Sequence, residues 1–218
     1  PYATKMLVDA GAEVIKIEGP GGDPLRSFSS SDQDLSERDG ALFQFLNGGK
    51  QSVDWDLETD AGREAFLRLC QTADLVVESG GPGWLAARGL GFDTLRARNP
   101  GLSLVSVSPY GLTGPWAERP ANDFTLQAEV GSTAYRGLPD RGPLYAPGRL
   151  GEYAAGAAVS VGALATWRSA RVSGVGIHAD VSMLEALCLC FTTYHDLFGQ
   201  FVPGFAIPIA VETPSIEP

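Results

Sequence analysis

The chain is poor in the residues that most often carry metal or nucleophilic chemistry: its 218 residues include two histidines, His178 and His195, and three cysteines, Cys70, Cys188 and Cys190. Three cysteines cannot close an even disulfide framework, and all three stand in apolar stretches of helical spacing, so reduced core residues are expected. Cys188 and Cys190 are two apart, which on a helix points them in different directions, and the histidines add no cluster; the sequence predicts no metal site. Positive charge is scarce as well. With 16 Lys and Arg against 26 Asp and Glu the formal net charge is -10, which argues against nucleic acid or an anionic membrane as partner. Any anionic ligand has to be held locally. Long hydrophobic runs are missing too: the apolar stretch 154–167 is interrupted by glycines and Ser160 and closed by Arg168, short of the roughly 18 apolar residues that suggest a membrane span. What remains, at 44% hydrophobic and 19% charged residues, is the composition of a soluble globular protein, expected in the cytoplasm, with length for one large domain or two small ones.

Several familiar motifs also fail. Gly48-Gly49-Lys50-Gln51-Ser52 has the flavour of a phosphate loop, but no hydroxyl directly follows the lysine and Gln44 stands where the earlier glycine belongs. Gly80-Gly81-Pro82-Gly83 follows a strand-like segment without dinucleotide spacing, and its proline removes an N–H that a pyrophosphate cradle would use. No Gly-x-Ser-x-Gly elbow exists, and neither histidine has an obvious nucleophile beside it in sequence.

What is present is alternation. Residues 2–10 have helical spacing and 13–18 are β-branched; 19–40 form a long polar segment with the character of a binding loop. Strand signals follow at 52–57, 74–78 and 102–107, and helix signals at 60–72 with Thr59 as N-cap, at 84–88, and at 92–98 before Asn99-Pro100. Further helices are expected over 123–130, from Glu152 onward, and over 182–198 with Ser182 and Glu185 as a capping box, with a short strand over 178–181. Alternating strands and helices predict an α/β fold: a Rossmann-like open parallel sheet with flanking helices, followed by long helices, whose ligands collect at the carboxyl ends of strands. Those ends are Glu18, Glu78 and Ser108, each soon followed by glycine or proline.

Within Gly148-Arg149-Leu150-Gly151-Glu152-Tyr153-Ala154-Ala155-Gly156, one carboxylate stands among small residues at the start of a long apolar stretch. In a first helical turn Glu152 meets free N–H groups and a favourable dipole, about 0.3–1 kcal/mol. A good first-turn residue is one reading; a reactive carboxylate with room for a ligand is the other.

Segments in order along nearly the whole chain resemble the family III CoA-transferases, the group that includes formyl-CoA transferase, carnitine CoA-transferase and α-methylacyl-CoA racemase. They are Pro1-Tyr2-Ala3-Thr4 through Gly11-Ala12-Glu13-Val14-Ile15-Lys16-Ile17-Glu18 with Gly22-Asp23-Pro24-Leu25-Arg26; Ala73-Asp74-Leu75-Val76-Val77-Glu78 with Pro82-Gly83; Gly89-Leu90-Gly91-Phe92 with Arg98-Asn99-Pro100; Ser106-Val107-Ser108-Pro109-Tyr110-Gly111-Leu112-Thr113-Gly114-Pro115; and Asp180-Val181-Ser182-Met183-Leu184-Glu185. The resemblance implies an N-terminal fragment of a longer protein that lacks a preceding strand and a following half, in keeping with a chain that starts at Pro1 and stops at Pro218. It divides the chain into a Rossmann-like CoA-binding portion, residues 1–150, and a helical segment leading toward a small domain, residues 151–218. It further implies acyl-CoA transfer between carboxylic acids in an interlocked homodimer, with coenzyme A or acyl-CoA as substrate and no metal.

The transferases carry an aspartate in a Gly-Asp-x-x-x-Gly segment, and Glu152 occupies its position, which makes it the implied covalent carboxylate. The turn Ser79, Gly80, Gly81 and Gly83 and the cations Lys50 and Arg88 are the implied CoA contacts, with Arg149 a further cation nearby. The chain departs from the pattern in having Gly19 where a basic residue is common, and in Arg88 standing one place beyond the usual arginine. Asn122 occupies the position of the racemase histidine; an amide cannot shuttle a proton, which disfavours racemisation. Asp123 next to it is either a structural carboxylate supporting the site or, the preferred reading, an N-cap for the next helix. A CoA-dependent racemase or isomerase and a non-catalytic CoA-binding subunit are the alternatives to a transferase.

Overall fold

The computed structural model describes residues 1–191 apart from 33, 36, 37, 136–141 and 143. Helix α1 (Tyr2–Asp9) turns at Gly11 into strand β1 (Ile15–Glu18), followed by α2 (Ala41–Asn47), β2 (Gln51–Asp54), α3 (Asp60–Cys70), β3 (Leu75–Glu78), α4 (Phe92–Arg98) and β4 (Ser103–Ser108). Then come α5 (Asp123–Glu129), α6 (Leu150–Ser173), β5 (His178–Ser182) and α7 (Met183–Phe191). All strand pairs are parallel: β1 with β2, and β4 between β3 and β5. The expected α/β fold with a parallel sheet and flanking helices is therefore present, with its ladders divided into a two-stranded and a three-stranded sheet.

The period-two alternation of β4 assigns its two faces. Leu104 joins Phe66, Cys70, Leu85 and Leu95 under α3 and α4, whereas Val105 packs with Ala3, Leu7, Val159 and Ala163 of α1 and α6. Helices thus cover both faces, and Leu95, Leu102 and Val105 are wholly buried. Small residues let α1 and α6 approach closely, and the Ser160 hydroxyl lies 3.2 Å from the Ala3 carbonyl oxygen and 2.9 Å from that of Gly156. Thr59 caps α3, its hydroxyl accepting the Gly62 N–H at 3.1 Å, as the sequence predicts.

Several expectations need correction. Helix α2 is not announced by the pattern; it is short, yet it buries Phe43 and Leu46 against Leu25. Strand β2 stops at Asp54 rather than 57, because the Asp56 carboxylate takes the Glu58 N–H at 2.9 Å and turns the chain into α3. Over 84–88 only Ala86–Arg88 is helical, a single 3-10 turn. Helix α6 runs past Trp167 to Ser173, where left-handed Gly174 ends it. Ser182 caps α7, with Glu185 N 3.3 Å from its hydroxyl, but residues 192–198 of that expected helix, His195 among them, lie outside the described residues. Of the cysteines, Cys70 is buried, Cys188 half-buried and Cys190 exposed, so the last is not a core residue.

Candidate active site

Glu152 stands in the first turn of α6, and the way that turn is built differs from ordinary capping. Gly148 and Arg149 are both left-handed, with φ 76° and 61°; for arginine this conformation costs on the order of 1 kcal/mol. Arg149 occupies the N-cap position but its side chain caps nothing. The cap comes from another helix: Oδ1 of Asp123 accepts the Glu152 N–H at 3.1 Å. Its Oδ2 accepts from Nε2 of Gln127 at 2.7 Å, and buried Gln127 exchanges two further hydrogen bonds with the Ala146 backbone, at 3.1 and 2.8 Å. Asp123 is therefore not the N-cap of α5. That place belongs to Asn122, which forms a capping box with Thr125. Gly151 has a plain reason to be glycine: a Cβ there would stand 2.4 Å from Oδ1 of Asp123.

Held by its backbone in this way, Glu152 leaves its side chain 42% exposed, with Oε2 3.4 Å from Nη1 of Arg149. The Arg149 guanidinium lies 5.3 Å from the ring centre of Phe28, and Tyr153 meets Tyr2 edge to face at 4.7 Å. The reachable carboxylate thus has Arg149 beside it, and that arginine lies in turn over a ring from the loop after β1.

Lys50 lies by the start of α1, its Nζ 3.1 Å from the Pro1 carbonyl oxygen and 3.0 Å from Oδ1 of Asn47. Burial, and then the positive charge of Lys16, push its ammonium down to about 8. The neighbouring cations are paired: Lys16 with Asp23 at 2.8 Å, and Arg26 with both Glu18 and Asp39 at 2.8 Å. Glu18, buried at the end of β1, also accepts from Ser52 at 2.7 Å and the Asp23 N–H at 2.8 Å. The Arg26 hydrogen bonds hold its carboxyl far below the usual carboxylate range. The polar loop of the sequence is, at its beginning, a turn wound around one buried carboxylate.

The turn after β3 is a separate group. Glu78 accepts the Gly80 N–H at 2.7 Å, and a Cβ on Gly80 would meet the Trp84 ring at 2.3 Å; Gly81 and Gly83 have φ 89° and 70°. Arg88 stacks over Trp84 at 4.2 Å, donates to the Trp84 carbonyl at 2.8 Å and pairs with Glu58. Of the sequence-predicted residues, Ser79, Gly80, Gly81, Gly83 and Arg88 thus gather at β3, Glu152 stands at the start of α6 beside Arg149, and Lys50 stands at the start of α1. A supporting role for Asp123 was one of its two readings, but its partner and the part of Gln127 were not legible, since nothing in their spacing reveals a contact 29 residues away. Nor was the approach of Ser106 Oγ to His178 Nε2 at 3.0 Å, which pairs adjacent parallel strands. Ser106 is buried.

A parallel α/β layer with glycine turns at strand ends and a reachable carboxylate in the first turn of α6 places the chain in the class of open parallel α/β domains. The relationship within that class is direct: residues 1–204 match the family described as CoA-transferase family III, and the chain belongs to that family. It is 38% identical over 208 residues to a subunit of succinyl-CoA:(R)-benzylsuccinate CoA-transferase from Thauera aromatica, covering 94% of this chain and 51% of the relative. It is 37% identical over 202 residues to succinyl-CoA:mesaconate CoA-transferase from Haloarcula hispanica, covering 89% and 51%. Its fold is similar to that of the crystal structure of a CAIB/BAIF family protein from Brucella suis, with TM-score 0.85 and 32% identity over 92% of this chain and 53% of that one. The chain spans about half the length of these relatives.

Proposed function

We propose that this chain supplies the CoA-handling part of an acyl-CoA transferase that moves CoA between carboxylic acids, with Glu152 as the covalent carboxylate. The observation that carries the reading is the reachable Glu152 side chain on a backbone fixed from a second helix by Asp123. A nucleophile needs both access and a set position, because small misplacements are costly. The names of the relatives, CoA-transferases acting with succinyl-CoA, support the reaction class.

In the proposed cycle a Glu152 oxygen attacks the thioester carbonyl carbon of an acyl-CoA; the C–S bond breaks, CoA leaves as thiolate, and a mixed anhydride forms. The thiolate then attacks the glutamyl carbonyl carbon and releases the donor acid as carboxylate, leaving CoA as a thioester on Glu152. The acceptor carboxylate attacks that thioester carbon and displaces CoA thiolate. The thiolate takes the acceptor acyl group and returns Glu152 as carboxylate, with no net proton change. The turn Ser79, Gly80, Gly81 and Gly83, with Lys50, would contact CoA. CoA is an extended molecule with its thioester and its nucleotide at opposite ends, so these contacts need not adjoin Glu152. Arg88 would serve by fixing the turn through Trp84 and Glu58. Residues 1–150 would form the CoA-binding portion and 151–218 lead toward a further domain, in an interlocked homodimer.

The test is isotope exchange in the full-length protein: a labelled acid should enter its own acyl-CoA without any second acid, as a covalent intermediate requires, and Glu152→Gln should abolish the exchange. Exchange that survives in the variant would exclude Glu152 as the nucleophile. CoA binding without transfer or exchange would favour the non-catalytic alternative, and solvent deuterium entering the α-carbon without CoA exchange would favour the racemase.

A further inference from the structure

We propose that Arg149 receives the carboxylate of the incoming acid, exchanging it for Glu152 at the covalent stage of the cycle; this rests on the proposed role of Glu152. Arg26 and Arg88 are committed, the first to two carboxylates at 2.8 Å and the second to Glu58 and the Trp84 carbonyl. Arg149 is different. Its one hydrogen bond among the described residues is the 3.4 Å contact to Glu152, at the long end of the range, and its other N–H groups have no acceptor there. The guanidinium lies over the Phe28 ring, 5.3 Å from its centre, and its side chain is 41% exposed. A guanidinium carries a planar fork of donors, the geometry that matches a carboxylate with two parallel hydrogen bonds. A left-handed arginine that caps nothing is a local cost without a local return, the kind of departure found where a side chain has work to do.

Charge conservation gives that work its timing. In the free protein Arg149 faces an ionised Glu152. Once Glu152 carries CoA as a thioester its charge is gone, and the guanidinium is left without an anion beside the very carbon that the acceptor carboxylate must attack. That carboxylate restores the pair. As its oxygen bonds to the glutamyl carbon, the C–S bond breaks and CoA leaves as thiolate. When the thiolate then takes the acyl group, the acyl–O electron pair returns to Glu152, which faces Arg149 again. One cation therefore serves two carboxylates in turn. Acid binding should be weak while Glu152 is ionised and strong when it is neutral, so acceptor and free enzyme are kept from a dead-end complex.

Calorimetry on the full-length protein with succinate, and separately with butyrate, tests this without any turnover. Glu152→Gln, which mimics the neutral stage, should bind at least one of the two about tenfold more tightly than the unaltered protein, as a charge-assisted pair would give. The gain should vanish in Glu152→Gln with Arg149→Gln and return in part with Arg149→Lys. A gain that persists in the double variant would come from lost repulsion alone and would overturn the proposal, as would no gain with either acid. In turnover, Arg149→Gln should raise KM for the acceptor acid about tenfold and leave KM for the acyl-CoA donor in place; an equal rise in both would also overturn it. Failure of the covalent role reads out separately, as surviving exchange in Glu152→Gln.

Discussion

In the proposed cycle Glu152 takes the place that the resemblance gives to an aspartate, and a glutamate sets its oxygens about one ångström farther from the backbone, enough to matter for a reacting geometry. Since Asp123 fixes the Glu152 backbone, the longer side chain cannot be offset by drawing the turn back. Glu152→Asp in the full-length protein should therefore lower kcat about 10- to 100-fold, with KM for acyl-CoA little changed; a steady-state comparison checks it, and a faster aspartate variant would contradict the account. As a proposed CoA contact, Lys50 would give CoA binding a pH dependence. Its ammonium titrates near about 8 in the free protein, and an anion bound beside it would raise that value, so binding takes up protons and weakens as pH climbs from about 8 toward the ordinary lysine range. Calorimetric CoA affinity should fall over that window and become flat in Lys50→Met. A wild-type profile as flat as the variant's would remove Lys50 from the CoA contacts.

At the scale of elements, the start of α6 is clamped to α5 through Asp123, Gln127 and the Ala146 backbone. Gly151→Ala would thrust a methyl at Oδ1 of Asp123 and displace this cap, at about 1–3 kcal/mol. The variant should melt earlier and lose transfer activity to a similar degree as Asp123→Ala, and combining the two should cost little more than either alone; additive losses in denaturant unfolding would contradict the shared contact. This clamp also marks the limit of what the sequence discloses. The alternation of strands and helices, the Thr59 cap and the position of Glu152 in a first turn were legible because each depends on residues within a few places of one another. Asp123 looked like a cap for its own helix because local spacing was the only guide; that it caps another helix depends on tertiary approach. Helix α2 escaped for a related reason: seven residues between glycines are too few for a helical period to stand out, and burial of Phe43 and Leu46 supplies what propensity does not.

For the molecule as a whole, α6 is apolar on more sides than its packing uses. Its inner side is buried against α1, β4 and β5, while Val161, Leu164 and Val172 are exposed, as in a helix that belongs inside a larger body. The chain covers about half of its relatives' length, and in the proposed interlocked homodimer a second copy would cover this side. Light scattering should find the full-length protein dimeric, and Val161→Glu with Leu164→Glu should dissociate or unfold it; a monomeric parent protein would contradict the interlocked arrangement. The proposed reaction rests on one bond. Incubating the full-length protein with an acyl-CoA that it consumes, quenching with hydroxylamine and sequencing its peptides by mass spectrometry should find a hydroxamate at Glu152 and at no other carboxylate. An active protein whose Glu152 stays unmodified, or whose hydroxamate falls on a different residue, would contradict the account.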